Sequence, residues 1–356
     1  MGVIIYATFM LRKYLNPITM RSMKRWLIAA GLSSLLLSLT VGCTAQNESS
    51  PELTIYSGRS EDFISPFLAT WQDNSGVKLN IRYGDSAELA AQILEEGKNS
   101  PADIFLAQDA GSLGAISAAG LFTPIGNDVA TLIPNQYIAE NREWVGLTAR
   151  VRVFAYDPNK IKTLPLSISD LTKPIYKNQL AIAPTNASFQ AFVTAMINSN
   201  GIDFSRNWLA AIKANGVKIY AKNTAIVEAI DKGEVSIGLV NHYYTWEVSE
   251  SLGREINVLN GFFAAGNIGN LINVSGIGVL ESSDKKDLAK DLINFLASTE
   301  TQKKFVSDTH EYSLIDNQTA PVGLPTLSDI DSPNVDLGLL KDVKTTQDLL
   351  IEVGLL

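Results

Sequence analysis

The chain is poor in the side chains that bind soft metals or carry out nucleophilic chemistry. Its 356 residues include one cysteine, Cys43, and two histidines, His242 and His310. A single cysteine excludes an internal disulfide framework, a Cys-rich zinc site and an iron–sulfur cluster. The phosphate-cradling GxxxxGK[ST] pattern is absent, no GxGxxG follows a strand, and no GxSxG elbow marks a nucleophilic serine. Positive charge is also in deficit. Against 37 Asp and Glu stand 29 Lys and Arg, leaving a net charge of −8, the wrong sign for a nucleic-acid partner. Internal repeats are lacking. A hydrophobic content of 46% with 19% charged residues is that of a folded chain, and its length allows two domain-sized units.

What is present begins at the N-terminus. "MRSMKRW" supplies Arg21, Lys24 and Arg25, and an apolar run follows from Leu27 to Val41. A basic flank before an apolar run too short to span a bilayer comfortably reads as a secretory signal, with a retained membrane anchor as the other reading. "LTVGC" resembles a bacterial lipoprotein signal, in which Cys43 becomes the lipidated first residue. Thr40 stands where Leu or Val is commoner in that motif. Residues 1–42 are therefore expected to be a signal segment, with Met20 as a second plausible start, and residues 43–51 a linker.

From residue 52 the chain alternates. "ELTIYSG" reads as a strand, and Phe63, Phe67 and Trp71 at spacing four read as a helix capped at Ser60. "VKLNIRYG" is a strand, "SAELAAQILEEG" a helix capped by Asp85 or Ser86, "ADIFLA" a strand and "AGSLGAISAAG" a helix. This βαβαβα series implies a parallel sheet with helices on both faces. "WVGLTARVRVFAYDP" (144–158) breaks the rhythm with a long extended run that can cross between lobes. A second α/β set follows from "LAIAPT" to "VSIGLVN" (235–241). "GNLINVSGIGVL" (269–280) is extended and can cross back, and helices close the chain. The expectation is two α/β lobes, residues 52–150 with about 275–320 and residues 151–274 with about 321–356, flanking a cleft. Ligands of open α/β sheets sit beyond the strands' carboxyl ends, near helix N-termini. One such loop is "NHYYTW" (241–246). A regular strand sends neighbouring side chains to opposite faces, so Tyr243 and Tyr244 are either separate packing residues or two hydroxyls brought to one target.

The landmarks "LTIYSGR", "PADIFLAQDAG", "SAAGLF", "WVGLTARVRVFAYDP", "YAKNTAIVEAIDKGEV", "NHYYTW", "VSGIGVL" and "IEVGLL" recur in order from Leu53 to Leu356. With them the chain resembles the periplasmic ferric-ion-binding proteins, the solute receptors of bacterial iron(III) ABC importers. The resemblance implies a type II periplasmic binding protein fold, with a hinged interlobe cleft, and no catalysis. It implies Fe(3+) held by Tyr243 and Tyr244, whose phenolates suit a hard cation, with carbonate or phosphate as a synergistic anion. It further implies an inner-membrane ABC permease as partner, a monomeric state, and a place in the periplasm or, through Cys43, on the outer face of the cytoplasmic membrane.

The chain also departs from the family pattern. Some members add a histidine where Ser60 stands, and some a glutamate where Gln108 stands. Asp109, next to Gln108, and Tyr83 are further candidates for the metal, Asp109 with helix capping as its other reading. Other members place a third tyrosine near Asn186, Ala187 and Ser188. By the resemblance these three, with Asn223 and Asn241, cradle the anion. Arg59 and Arg150 are candidate clamps for it, since guanidinium matches carbonate or phosphate bidentately; pairing with an acid is their alternative. His242 is expected beside the site rather than as a ligand. With two tyrosines alone the shell is under-supplied. A phosphonate, a thiamine-like compound or another small organic solute is therefore the rival cargo, and a hydrolase on the same two lobes the rival class.

Overall fold

The computed structural model describes residues 51–315, 319–333 and 335–356. Residues 1–50, which carry the expected signal segment, Cys43 and nearly all of the linker, lie outside them. The first segments follow the expected alternation: β1 (Glu52–Ser57), α1 (Glu61–Ser75), β2 (Lys78–Tyr83), α2 (Ser86–Glu96), β3 (Ile104–Ala107) and α3 (Ala110–Ala118). In α1 the four-residue spacing puts Phe67 and Trp71 in the core beside Ile64 and Leu68. Ser60 is its N-cap by position, but its hydroxyl makes no capping bond. The short β4 (Phe122–Thr123) leads to β5 (Trp144–Tyr156), the long extended run.

The second set comprises β6 (Leu180–Ile182), α4 (Ala187–Asn200), α5 (Ile202–Ala214), β7 (Lys218–Ile219), α6 (Asn223–Asp231) and β8 (Ile237–Asn241). A helix not expected from the sequence follows at once, α7 (Tyr244–Leu252), then β9 (Leu259–Gly261) and β10 (Ile272–Leu280). The chain closes through α8 (Lys286–Leu296), α9 (Thr299–Thr309), β11 (Tyr312–Ser313) and α10 (Val343–Glu352).

The strand order is β2-β1-β3-β10-β5-β8-β6-β7. β1 is parallel to β2 and β3, and β6 is parallel to β7 and β8, while β10 and β5 run against their neighbours. Two parallel half-sheets are thus joined through two antiparallel strands, the two segments whose extended character broke the alternation. β5 belongs to both halves. Trp144–Val151 pairs with β10 and β11, and Arg152–Tyr156 pairs with β8 and β9. At Gly276 the β10 register shifts, and a Cβ there would lie 2.6 Å from the Val145 carbonyl oxygen; a side chain would push the two crossing strands apart.

Side chains from both halves make up the large core. A second, smaller cluster lies in the latter half: Val153, Ala181, Ile226, Val227 and Val240 pack with Tyr243, Tyr244 and Val248. The described residues pack as one compact unit.

Candidate functional site

The adjacent tyrosines sit where a strand turns directly into a helix. β8 ends at Asn241, Tyr243 already has helical torsions (φ −70, ψ −18), and α7 begins at Tyr244. A helix rotates successive side chains by about 100° rather than the 180° of a strand. The two rings therefore lie side by side, with centroids 4.4 Å apart and planes at 36°. Both are buried, Tyr243 at 3% exposure and Tyr244 at 9%. Burial pushes the Tyr244 phenol well above its usual range; the Tyr243 phenol beside it and Glu247 push the same way, and Asn223 opposes them. Without a cation this phenol stays protonated at neutral pH.

The turn is held by His242. The Val151 N–H donates to His242 Nδ1 (3.1 Å), and His242 Nε2 lies 2.7 Å from the His310 carbonyl oxygen. Since Nδ1 accepts, Nε2 carries the proton and donates. Burial pulls the imidazole down to about 4, so the ring is neutral and extends the strand ladder as a surrogate backbone group. It sits beside the site, as expected, and has no free nitrogen for a ligand.

Across from the tyrosines, Gln108 at the end of β3 donates from Nε2 to the Tyr243 hydroxyl (3.1 Å). The ring of Phe63 in α1 lies 5.7 Å from that of Tyr243. Asp109 faces elsewhere. Its Oδ1 accepts from the Ser112 N–H (2.8 Å) and its Oδ2 from the Ser112 hydroxyl (3.0 Å), which makes it the N-cap of α3. Tyr83, half-buried at the end of β2, has its phenol pushed up by burial and by Glu61, and it is not among the residues hydrogen-bonded to or stacked on the tyrosine pair. Ser60 is exposed.

Most of the anticipated anion residues come together at the start of α4. Asn186 caps that helix, and its Oδ1 accepts from the Ser188 N–H (3.0 Å), the Ser188 hydroxyl (2.6 Å) and Asn223 Nδ2 (3.2 Å). Ala187 occupies the first helical position, where main-chain N–H groups lack helical partners. Asn223 opens α6 and also reaches the Ser188 hydroxyl (3.3 Å). Asn241 ends β8, opposite Arg152 in the register. Among the described residues, Asn223 Oδ1, Thr224 Oγ1 and Asn241 Nδ2 are buried with no hydrogen-bond partner.

Of the two proposed clamps, Arg59 is already engaged. Its two terminal nitrogens bind the two oxygens of Glu311 at 2.8 Å each, and the Thr148 hydroxyl donates to the same carboxylate (2.8 Å). Burial alone would lower the Arg59 guanidinium; Glu311 outweighs it and raises it. The acid-pairing alternative is the one observed for this residue. Arg150, at 1% exposure, donates from Nη2 to the Val274 carbonyl (3.4 Å) and leaves Nε and Nη1 without partners among the described residues.

Sequence reasoning missed Arg152. Two residues further along β5 and equally buried, it donates from Nη1 to the Ser188 hydroxyl (3.1 Å) and from Nη2 to the Leu239 carbonyl (3.0 Å), and its Nε has no partner. Phe189 and Phe192 lie against its guanidinium, 5.3 and 5.4 Å from the ring centroids. Among the described residues it forms no ion pair with a carboxylate, and burial lowers it to about 9 in spite of the two tyrosines nearby. The available signal was the pair of charges at alternate positions in "ARVRVF", which places Arg150 and Arg152 on one face of a strand buried almost throughout.

The site therefore joins two buried phenols to two buried arginines, Arg150 and Arg152, whose guanidinium groups keep unused donors among the described residues. Among the described residues no group of three or more His, Cys, Asp and Glu could hold a metal, so a metal here would be bound by phenol oxygens and added ligands. Comparison with known proteins shows what the whole chain is similar to. Residues 99–329 match the model of the bacterial extracellular solute-binding protein family. The chain is 31% identical over 335 residues to the Fe(3+)-binding periplasmic protein of Serratia marcescens, with 92% of this chain and 97% of that one aligned. It is 30% identical to the major ferric iron-binding protein of Neisseria meningitidis, covering 89% and 97%. Iron-bound HitA from Pseudomonas aeruginosa superposes with a TM-score of 0.80 at 32% identity, covering 85% and 99%. The fold is the type II periplasmic binding protein fold expected from the sequence.

Proposed function

This chain belongs to the bacterial extracellular solute-binding protein family, and we propose that it is an extracytoplasmic receptor capturing ferric ion through Tyr243 and Tyr244 together with an anion. Its relatives are binding proteins and not enzymes. The observation that carries the reading is the side-by-side burial of the two phenols at a strand–helix junction, next to Arg152 and its unused donors. A bound cation favours phenolate over phenol, so capture would release two protons and cancel two of the ion's three charges. Carbonate or phosphate would occupy the pocket formed by Asn186, the Ala187 N–H, Ser188, Asn223 and Asn241, with Arg152 as its charge partner and Arg150 behind it. Arg59 would act through Glu311 rather than on the anion.

The two half-sheets correspond, in this reading, to the two lobes, with β5 and β10 as the crossings. Gln108 and Phe63 from one half meet Tyr243 from the other, so ligand and lobe contacts favour a single closed form. The closed form would dock as a monomer on an inner-membrane ABC permease. The receptor would act in the periplasm or, tethered through Cys43, at the outer face of the cytoplasmic membrane. Among the described residues no helix is long and apolar enough to cross a membrane.

The test is a titration of chelator-stripped protein with Fe(III), followed at visible wavelengths with and without bicarbonate or phosphate. A phenolate-to-iron charge-transfer band is expected, and Tyr243→Phe with Tyr244→Phe removes it while the far-ultraviolet circular dichroism is kept. Absence of the band in the unaltered protein refutes the proposal. One observation favours a second reading: the free donors around Arg152 would also suit a phosphonate or similar organic anion. That cargo would raise the melting temperature with no metal present.

A further inference from the structure

Between β5 and β6 the chain makes a loop at the end of the latter half-sheet opposite the tyrosine pair. Tyr156, just before it, pairs with Ile237 at the start of β8, whereas Tyr243 follows the end of that strand. Ile168, Leu171 and Tyr176 are buried and anchor the loop. Trp208 Nε1 donates to the Ile168 carbonyl (2.8 Å), and the Tyr176 hydroxyl to the Thr163 carbonyl (3.0 Å). So braced, the loop leaves Leu164, Leu166 and Ile175 in solvent. Leu166 is 67% exposed and Ile175 66%, and among the described large apolar side chains only Val322 is more exposed.

Positive charge gathers on the same loop. Residues 158–177 hold four lysines against Asp170 alone, a net charge of +3 in a chain of net −8. Asp170 is taken by Lys173 and by the Leu166 and Ser167 N–H groups. Lys160 and Lys162 each donate to a main-chain carbonyl, of Gly233 (2.7 Å) and Pro158 (3.0 Å), and Lys177 is exposed. Among the described residues none of these three forms an ion pair with a carboxylate. Lys160, Lys162 and Ile175 line one recess of about 280 Å³, with Tyr176 and Gln179 in its wall.

We propose that this loop is a membrane-contact surface: Lys160, Lys162 and Lys177 bind the phosphates of anionic phospholipid headgroups, while Leu166 and Ile175 enter the boundary between headgroups and acyl chains. The inference goes beyond the cargo reading and does not depend on ferric ion. Apolar side chains with no core to fill, set among lysines with no counter-charge, are what an interfacial contact requires. An ammonium on a flexible stem follows mobile headgroups, whereas arginine forks suit the fixed carboxylates of a protein partner; residues 158–177 contain no arginine. The chain's overall negative charge does not forbid the contact. Charges farther than about 8 Å from the bilayer are largely screened at physiological salt, so the chain is attracted when this loop leads and repelled in other orientations. Because the loop lies at the far end of the half-sheet from Tyr243, the contact leaves the candidate site uncovered.

The experiment floats residues 51–356, whose described part packs as one compact unit, with vesicles of phosphatidylcholine alone or of phosphatidylcholine and phosphatidylglycerol in equal parts. Starting at residue 51 keeps the expected signal segment and Cys43 from contributing. Binding to the mixed vesicles alone is expected, and it disappears in roughly 1 M salt, where the screening length falls to about 3 Å. Each lysine at an anionic surface strengthens binding by about fivefold, so Lys160→Gln with Lys162→Gln and Lys177→Gln weakens it by about a hundredfold. Leu166→Ser with Ile175→Ser weakens it by about tenfold and keeps the salt dependence. All five side chains are exposed, so both variants should melt with the unaltered chain; the salt dependence needs no variant and holds the test open if one misfolds. The proposal is overturned if the unaltered chain treats the two vesicles alike, or if the lysine variant binds as the parent does. It is also overturned if millimolar inorganic phosphate displaces the chain, which would make the recess a site for free phosphate. Indifference to vesicles with lysine-dependent binding to the permease would make the loop a protein-docking surface, and overturns it as well.

Discussion

Arg59 and Arg152 are both buried, both lie near the two tyrosines, and have opposite surroundings. Arg59 meets Glu311 through two parallel bonds of 2.8 Å, braced by Thr148. Arg152 meets a hydroxyl, a main-chain carbonyl and two aromatic faces. The first pair is closed: charge, hydrogen bonds and geometry are satisfied within the chain, and the two residues tie the loop after β1 to the segment before β11. The second is open. Among the described residues its charge has no carboxylate partner, and burial lowers its pKa to about 9. In the proposed reading this charge is where the anion binds.

The comparison is broken most severely by converting the closed pair into an open one. Glu311→Gln leaves Arg59 buried without its counter-charge and is expected to cost about 3–5 kcal/mol of stability in urea denaturation. The pH dependence identifies the cause. Burial pushes the Glu311 carboxyl up, but Arg59, with Arg150 and Thr148, holds it below its ordinary value of 4.5. An acid depressed in the folded state contributes fully above that ordinary value and loses its contribution as pH falls through the depressed one. The stability gap between parent and Glu311→Gln should therefore be constant at neutral pH and narrow only below 4.5.

On the proposed reading the open site takes an anion. Phosphate at about 100 times its dissociation constant should stabilise the unaltered protein by about 2.7 kcal/mol, read as a rise in melting temperature. Arg152→Met should abolish most of that rise while changing the anion-free stability by no more than about 1 kcal/mol, because a buried cation without a partner contributes little to the fold. Glu311→Gln, weakened as it is, should keep the anion-induced rise. Asp109→Ala sharpens the distinction further. It removes the α3 cap, costs about 1 kcal/mol, and leaves the iron band unchanged.

The chain's alternation of patterns made the first three strands and helices legible, and the unbroken extended runs at 144–158 and 269–280 marked the two crossings. Helix α7 was not legible for a local reason. Its N-cap position is Tyr243, which makes no capping bond, and "YTWEVSESL" offers weak helix formers and no start signal. Yet the side-by-side placement of the tyrosines depends on that helix starting between them. The pairing of Arg59 with Glu311 spans 252 residues and joins two irregular segments, which no periodicity connects. Asn186, Ser188 and Asn223 could be named because two helices begin there. Their mutual bonds, and the missing partner of Arg152, follow from packing alone.

The shared strand also has a consequence in time. By residue 261 the ribosome has supplied every strand of the latter half-sheet, β5 to β9, and the tyrosine pair with it. The earlier half, although made first, still lacks β10, which β3 and β5 both require, until residue 280, and β11 until residue 313. The half that starts the polypeptide is thus the last to be finished. Until then β3 presents an unpaired edge, the kind of surface that recruits wrong partners. No contiguous gene fragment encodes the earlier half alone. A truncation before residue 272 would leave the tyrosine pair in a half-sheet with all its strands, and β3 without its β10 neighbour.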